Sequence, residues 1–148
     1  MDKFPFTKDE WGEIGDISYD MVNEVYNDDN VSPELFSKFV TIINKLENKY
    51  GKHPLLLETL ADHTHDPEER KKLYAEALDI AITNGLPTIS IRISFAELFI
   101  EYFQDNSMAI QILEPADKEI EQHDDELEVN NYYRLKRKLT IKACTNSQ

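Results

Sequence analysis

Apolar residues recur along this chain at intervals of three and four, the spacing of one face of a helix. Trp11, Ile14, Met21 and Val25 form a first stripe, and Leu35, Phe39, Ile42, Ile43, Leu46 and Tyr50 a second. Leu56, Leu57, Leu60 and Ala61 make a shorter third from about Pro54 to Thr64, and Leu73, Tyr74, Ala77, Leu78 and Ala81 a fourth. Pro87 to Asp105 differs. Ile89, Ile91, Ile93, Phe95, Ala96, Leu98, Phe99, Ile100, Tyr102 and Phe103 leave only Ser90, Ser94, Glu97, Glu101 and Asp105 as a narrow polar strip. A helix apolar almost all round is a central one, covered by its neighbours. Its opening, Thr88 to Phe95, alternates and also fits a short strand; the unbroken run Ala96 to Phe103 decides for helix. Ala109, Ile112, Leu113, Ala116 and Ile120 form a sixth stripe, with Pro115 inside it predicting a break near Leu113. Val129, Tyr132, Leu135 and Leu139 form the seventh, from about Asp125 to about Ala143.

Helix punctuation agrees with these stripes. Thr7 with Glu10 reads as a capping box, with Phe6 and Trp11 placed as a hydrophobic staple. Asn27 to Asn30 ends the first helix, Ser32-Pro33 starts the second, and Gly51 closes it. Asp66-Pro67-Glu68-Glu69 reads as a second capping box, Gly85 as a C-cap, and Asn106 as the cap of the sixth helix. The expected fold is all-α: one domain of seven helices, as antiparallel hairpins over about 7–50, 54–85 and 88–123, closed by a terminal helix over about 125–143.

The hairpins repeat. Glu58, Asp62 and Asp66 map onto Glu97, Glu101 and Asp105 at a constant offset of 39, which also places Leu56 on Phe95, Leu60 on Phe99 and Ala77 on Ala116. Asp16, Asp20 and Glu24 form a comparable ladder 42 residues before the first set. Phe95, Leu98, Phe99 and Tyr102 follow an aromatic, aliphatic, small, Tyr pattern, with Phe99 in the small residue's place. Trp11, Ile14, Gly15 and Ser18 follow it except at the last position; Ala109, Leu113 and Ala116 follow a second-helix pattern, of which the middle hairpin keeps Tyr74 and Ala77. In these residues the chain resembles the tetratricopeptide-repeat (TPR) family, though its repeat length departs from the family's. The resemblance implies hairpins stacked in a TPR-like superhelix plus a C-terminal capping helix. It also implies a concave face, lined by the first helix of each pair, that binds proteins or peptides.

Composition narrows the partners. The formal charge is −13, which disfavours nucleic acid and anionic membrane. Residues 1–133 hold all 29 acids and 11 of the 16 Lys and Arg, a balance of −18; Arg134, Lys136, Arg137, Lys138 and Lys142 give the rest +5. There is no apolar run of the roughly 18 residues that span a bilayer, and the start has no signal-peptide core. The lone Cys144 has no partner for an internal disulfide. A cytoplasmic protein is expected.

The ladders are the sharpest functional signal. Like charges at i, i+4 repel by about 0.2–0.5 kcal/mol per pair, yet Asp16, Asp20, Glu24, Glu58, Asp62, Asp66, Glu97, Glu101 and Asp105 have no base interleaved on their stripes. The second helices instead carry matched pairs: Glu34 with Lys38, Glu68 with Lys72, Lys72 with Glu76, Glu114 with Lys118. The nine acids are therefore candidate partner-binding residues, in a groove that receives a basic protein as an inhibitor or immunity-type protein would receive a nucleic-acid-acting toxin. The alternatives are a solvated acidic surface or an adaptor holding an extended peptide. The basic last helix either packs on the array and pairs with it, or presents Arg134, Arg137 and Lys138 to a partner. Tyr19, Tyr102 and Tyr133 fit either an interface or the core. His63 and His65 raise a metal-dependent hydrolase, but at a helix end without a second ligand cluster they read as loop. His53 and His123 are isolated and uninformative. No cofactor, metal or catalytic set is expected, and the oligomeric state stays open.

Overall fold

Thr7 opens the first helix as its sequence requires. Its hydroxyl accepts from the Glu10 N–H at 3.1 Å while Glu10 accepts from the Thr7 N–H at 2.9 Å, and Phe6 stacks on Trp11 with ring centroids 5.2 Å apart. The computed structural model describes residues 1–146, with side-chain surroundings as far as Ile141; Lys142 and Cys144 lie outside the described side chains. The helices are α1 (Lys8–Asp28), α2 (Pro33–Tyr50), α3 (Pro54–His63), α4 (Pro67–Thr83), α5 (Ile89–Glu101), α6 (Asn106–Leu113), α7 (Asp117–Ile120) and α8 (Glu126–Asn146). A 3₁₀ turn, Glu114–Ala116, joins α6 to α7. With α6, the turn and α7 taken as the one helix that Pro115 breaks, the fold is all-α with seven helical segments, and the described residues include no strand.

Neighbouring helices pair as the short loops demand: α1 with α2, α3 with α4, α5 with α6. Beyond these hairpins α5 packs on α4 and α8, and α8 also covers α6. Two apolar clusters result. Phe6, Ile14, Ile17, Met21, Phe39, Ile43 and Leu46 build the first with Leu56 of α3. Leu57 and Ala61 of α3 belong to the second, which runs through α4, α5, α6 and α8. Successive side chains on a helix diverge by about 100°, so Leu56 and Leu57 send one short helix into both clusters.

The ends are chemically specified. Gly85, at φ 66°, ends α4 in a Schellman motif: Leu86 N–H donates to Ala81 O at 2.8 Å and Gly85 N–H to Ile82 O at 3.2 Å. Gly51, at φ 83°, ends α2. Three details differ from expectation. Asp66 makes no side-chain cap bond, and Glu69 pairs with Lys72 at 3.4 Å, so no capping box forms there. Asp105, not Asn106, caps α6: Gln104 turns the chain at φ 51°, and the Asp105 carboxylate accepts from Met108 N–H at 3.0 Å. Val25 is 47% exposed, and Ile17 takes its place in the buried stripe.

Pro115 has no N–H and ends α6 at Leu113, which strands carbonyls that a continuous helix would satisfy. Buried Arg92, on the apolar side of α5, repairs this: its Nη1 donates to Ile112 O at 2.7 Å and its Nε to Thr88 Oγ1 at 2.9 Å. Thr88 in turn donates its N–H and hydroxyl to Glu119 at 2.7 and 2.5 Å. The Tyr132 hydroxyl of α8 donates to Leu113 O at 2.8 Å and also meets Asp117. Arg92→Leu should therefore cost about 3 kcal/mol of stability, since it leaves buried polar groups without partners, whereas Tyr132→Phe should cost about 1 kcal/mol. Urea denaturation followed by circular dichroism measures both; an Arg92→Leu loss no larger than that of Tyr132→Phe would contradict this account.

Candidate functional site: carboxylates between α3, α5 and α8

The polar strip of α5 survives in the fold. Ser90, Ser94 and Glu97 are half-buried and Glu101 is exposed, while nine of the thirteen residues of α5 are buried. Across from this strip lie Glu58 and Asp62, one turn apart on α3. Glu58 is only 8% exposed, and the Ser90 hydroxyl donates to its Oε1. Burial pushes its carboxyl up to about 7, against the Ser90 hydrogen bond, with the Asp62 and Glu128 charges adding to the rise. Asp62 is exposed as a residue, yet desolvation of its carboxylate against α4 raises its pKa. The Tyr74 hydroxyl opposes that rise by donating to Oδ1 at 2.5 Å. On α5, burial raises the pKa of Glu97, Glu101 and Asp62 raise it further, and Arg134 and Lys138 act against them. The Asp62 charge thus raises the pKa of Glu58 on its own helix and of Glu97 on α5, while Asp62 itself responds to burial, Tyr74, His63 and Arg70.

Four of the nine expected acids, Glu58, Asp62, Glu97 and Glu101, therefore come together. The other five do not join them. Asp16 and Asp20 are exposed on α1, whose Met21, Val22 and Val25 are the residues that face α3 across a cavity. Glu24 accepts from Ser32 N–H at 2.8 Å and closes the turn into α2. Asp66 is exposed at the start of α4, and Asp105 is engaged as the cap of α6.

The C-terminal helix alters the charge balance. Its apolar stripe is buried at Tyr132, Leu135 and Leu139, and Lys136 pairs with Asp117 at 3.0 Å. Arg134 lies 3.8 Å from Glu97, and Arg134, Leu135 and Lys138 face Glu97, Ile100 and Glu101 across a cavity of about 230 Å³. So α8 packs on the array and pairs with it, and the α5 ladder is partly compensated rather than bare. None of the four matched pairs expected on the second helices forms among the described residues: on α4 Glu68 meets Lys71 at 3.2 Å, Glu69 meets Lys72 at 3.4 Å and Glu76 meets Lys52 at 2.6 Å instead.

Three contributors lie outside the nine expected acids. Glu128, three residues into α8, joins the Glu58 site and accepts from His123 Nε2. His53 is buried: its Nδ1 accepts from Leu55 N–H at 3.2 Å at the head of α3, and its Nε2 then donates to Asp2 O at 2.9 Å. Ser90 stood in the polar strip, but nothing in the sequence paired it with Glu58.

A second hollow, of about 650 Å³, lies between α1, the start of α2 and the end of α3. Arg70 sits at its rim beneath Tyr74 and Tyr102, 5.8 and 5.5 Å from their ring centroids, with its buried Nε unpaired. Tyr102, Tyr19 and Tyr133 are 55%, 68% and 44% exposed. His63 lies edge-on to Phe39 at 5.2 Å, and burial lowers its pKa. Among the described residues no group of three or more His, Cys, Asp or Glu is placed to hold a metal ion, and no helix is long and apolar enough to cross a membrane. Comparison with protein-family models, curated proteins and solved structures finds no match to this chain.

The raised pKa of Glu58 has a consequence for stability. An acid held at about 7 when folded, against 4.5 for an ordinary Glu, binds its proton more tightly in the folded state. Its favourable contribution is full below pH 4.5 and is lost as pH rises through 7. Glu58→Gln keeps an acceptor for Ser90 and removes the charge, so it should stabilise the fold at pH 8 by on the order of 2–3 kcal/mol and change little at pH 4.5. Denaturant titrations at the two pH values test this; a variant no more stable than wild type at pH 8 would show that Glu58 is not buried as a charge.

Proposed function

We propose that this chain is a cytoplasmic, non-enzymatic module that binds a basic protein through the α3–α5–α8 face, and that it neutralises or sequesters that partner in the manner of an inhibitor or immunity protein. TPR-like stacking of the three hairpins is part of this reading, since it would turn the first helices toward a shared hollow. The observation that carries it is the action of the Asp62 charge on both Glu58 and Glu97, two carboxyls already raised by burial. A carboxylate charge that raises the pKa of its neighbours opposes folding, and an incoming cation relieves that cost. Six acids (Asp2, Glu58, Asp62, Glu97, Glu101, Glu128) meet four bases (Lys3, Arg70, Arg134, Lys138) around this face, so acids outnumber bases there. A partner that grips phosphate is cationic at its own site and is steered to such a face.

A second reading, an adaptor that holds an extended peptide, is favoured by the 650 Å³ hollow, whose α1 wall is Met21, Val22 and Val25 and whose far side carries Tyr102. Apolar and aromatic contacts would then carry the affinity, and salt would matter little.

Affinity capture on the full chain, followed by titration of the captured protein at rising salt, separates the two. The first reading expects a basic partner whose affinity falls at least about tenfold on going from low to physiological salt. It also expects Glu97→Lys with Glu101→Lys to weaken binding by about tenfold or more, and Asp16→Asn with Asp20→Asn to leave it unchanged. Binding that is indifferent to salt and to the α5 reversals would sink it.

A further inference from the structure

We propose that the cavity beneath the N-terminal segment is a binding site for a small apolar amine, with Glu58 and Glu128 receiving the ammonium group. The cavity measures about 410 Å³ and is bounded by α3, the start of α5, the start of α8 and residues 2–4. That size suits a small organic ligand, and so does the make-up of its wall, mostly apolar with a few convergent polar groups. Phe4, Leu55, Leu86 and Ile91 supply the apolar wall.

The polar groups are unevenly satisfied. Glu58 Oε1 is taken by Ser90, while among the described residues no donor meets Oε2. Glu58 is 8% exposed and lines the cavity, so its Oε2, without a donor among the described residues, is an acceptor open to a ligand in that space. Glu128 lies across from it and is held by His123, and each of these lines the same space. The remaining polar groups of the wall do not supply the missing donor: His53 is engaged with Asp2 O and Leu55 N–H, and Lys3, exposed at the mouth, makes no ion pair among the described residues. An ammonium ion carries the donors that Glu58 lacks and the charge that two neighbouring carboxylates call for. A carboxylate ligand would be repelled, and an alcohol would meet only the hydrogen-bonding half of the requirement.

Phe4 makes the site observable. Its ring forms part of the wall and stands edge-on to Trp11 at 5.3 Å. Trp11 is the chain's single tryptophan. A ligand that shifts Phe4 alters the surroundings of Trp11 and hence its fluorescence.

The test titrates hexylamine, hexanol and hexanoate into the full chain at pH 7.5, followed by Trp11 fluorescence and by amide chemical shifts of Ser90 and His123. Hexylamine should saturate both signals, with a dissociation constant at least about tenfold below that of hexanol, and hexanoate should not bind. Glu58→Gln and, separately, half-buried Glu128→Gln should each weaken hexylamine by about tenfold and leave hexanol unaffected. Circular dichroism confirms that each variant is folded. Equal binding of hexylamine and hexanol, or no binding of either, would overturn the proposal, as would hexylamine affinity unchanged in both variants. This site shares Glu58 and Glu128 with the protein-binding face but does not depend on that reading. A chain that takes hexylamine and captures no basic protein keeps the cavity and loses the earlier reading; the converse result does the reverse.

Discussion

The burial of α5 is the constraint on which the second apolar cluster and the site depend. Nine of its thirteen residues are out of water, and full burial of an Ile, Leu or Phe side chain contributes about 1.5–3 kcal/mol. No single neighbour can cover such a helix. It takes α4 on one side, α6 as its hairpin partner and α8 across the end of the stack. What remains polar on it is the strip Ser90, Ser94, Glu97, Glu101, of which Ser90 meets Glu58 of α3 while Glu97 and Glu101 face α8. The same requirement that makes α5 central therefore also fixes where its few polar groups can point.

Helix α8 has two roles in this arrangement. It shields α5 with Tyr132, Leu135 and Leu139, and it brings Arg134 and Lys138 to one end of the acidic strip and Glu128 to the other. The charge of the face is graded in consequence. Near Glu97 the chain's own cations soften it. Near Glu58 burial and added carboxylate sharpen it, and there an apolar cavity opens beneath Phe4.

The N-terminal hairpin stands somewhat apart. Its cluster meets the rest chiefly through α3, where Leu56 faces one way and Leu57 the other. Glu10 ties the hairpin's own ends together: it caps α1 and also accepts from Lys49 at 2.8 Å and from the Tyr50 hydroxyl at 2.5 Å. These donors hold its carboxyl down to about 2. Because the exposed acids of α1 lie away from the α3–α5 hollow, a repeat in sequence has become an interaction only between the second and third hairpins.

Periodicity, caps and prolines alone determined the all-helical class, the order of the helices, the capping box at Thr7, the break before Pro115 and the centrality of α5. All of these are local, written into residues within a few positions of one another. The spacing of the ladders likewise showed that Glu58, Asp62, Glu97 and Glu101 share faces of their own helices. Which faces meet was decided only by tertiary packing. It set Asp16 and Asp20 apart, turned Asp105 into a cap, drew Arg134 to Glu97 and brought Ser90, His123 and Glu128 around Glu58. It also made Arg92 a buried strut, reaching twenty residues along the chain to the carbonyl of Ile112. Contacts of that kind depend on the rotation and approach of whole helices, which the identity of each residue and its immediate neighbours leaves undetermined.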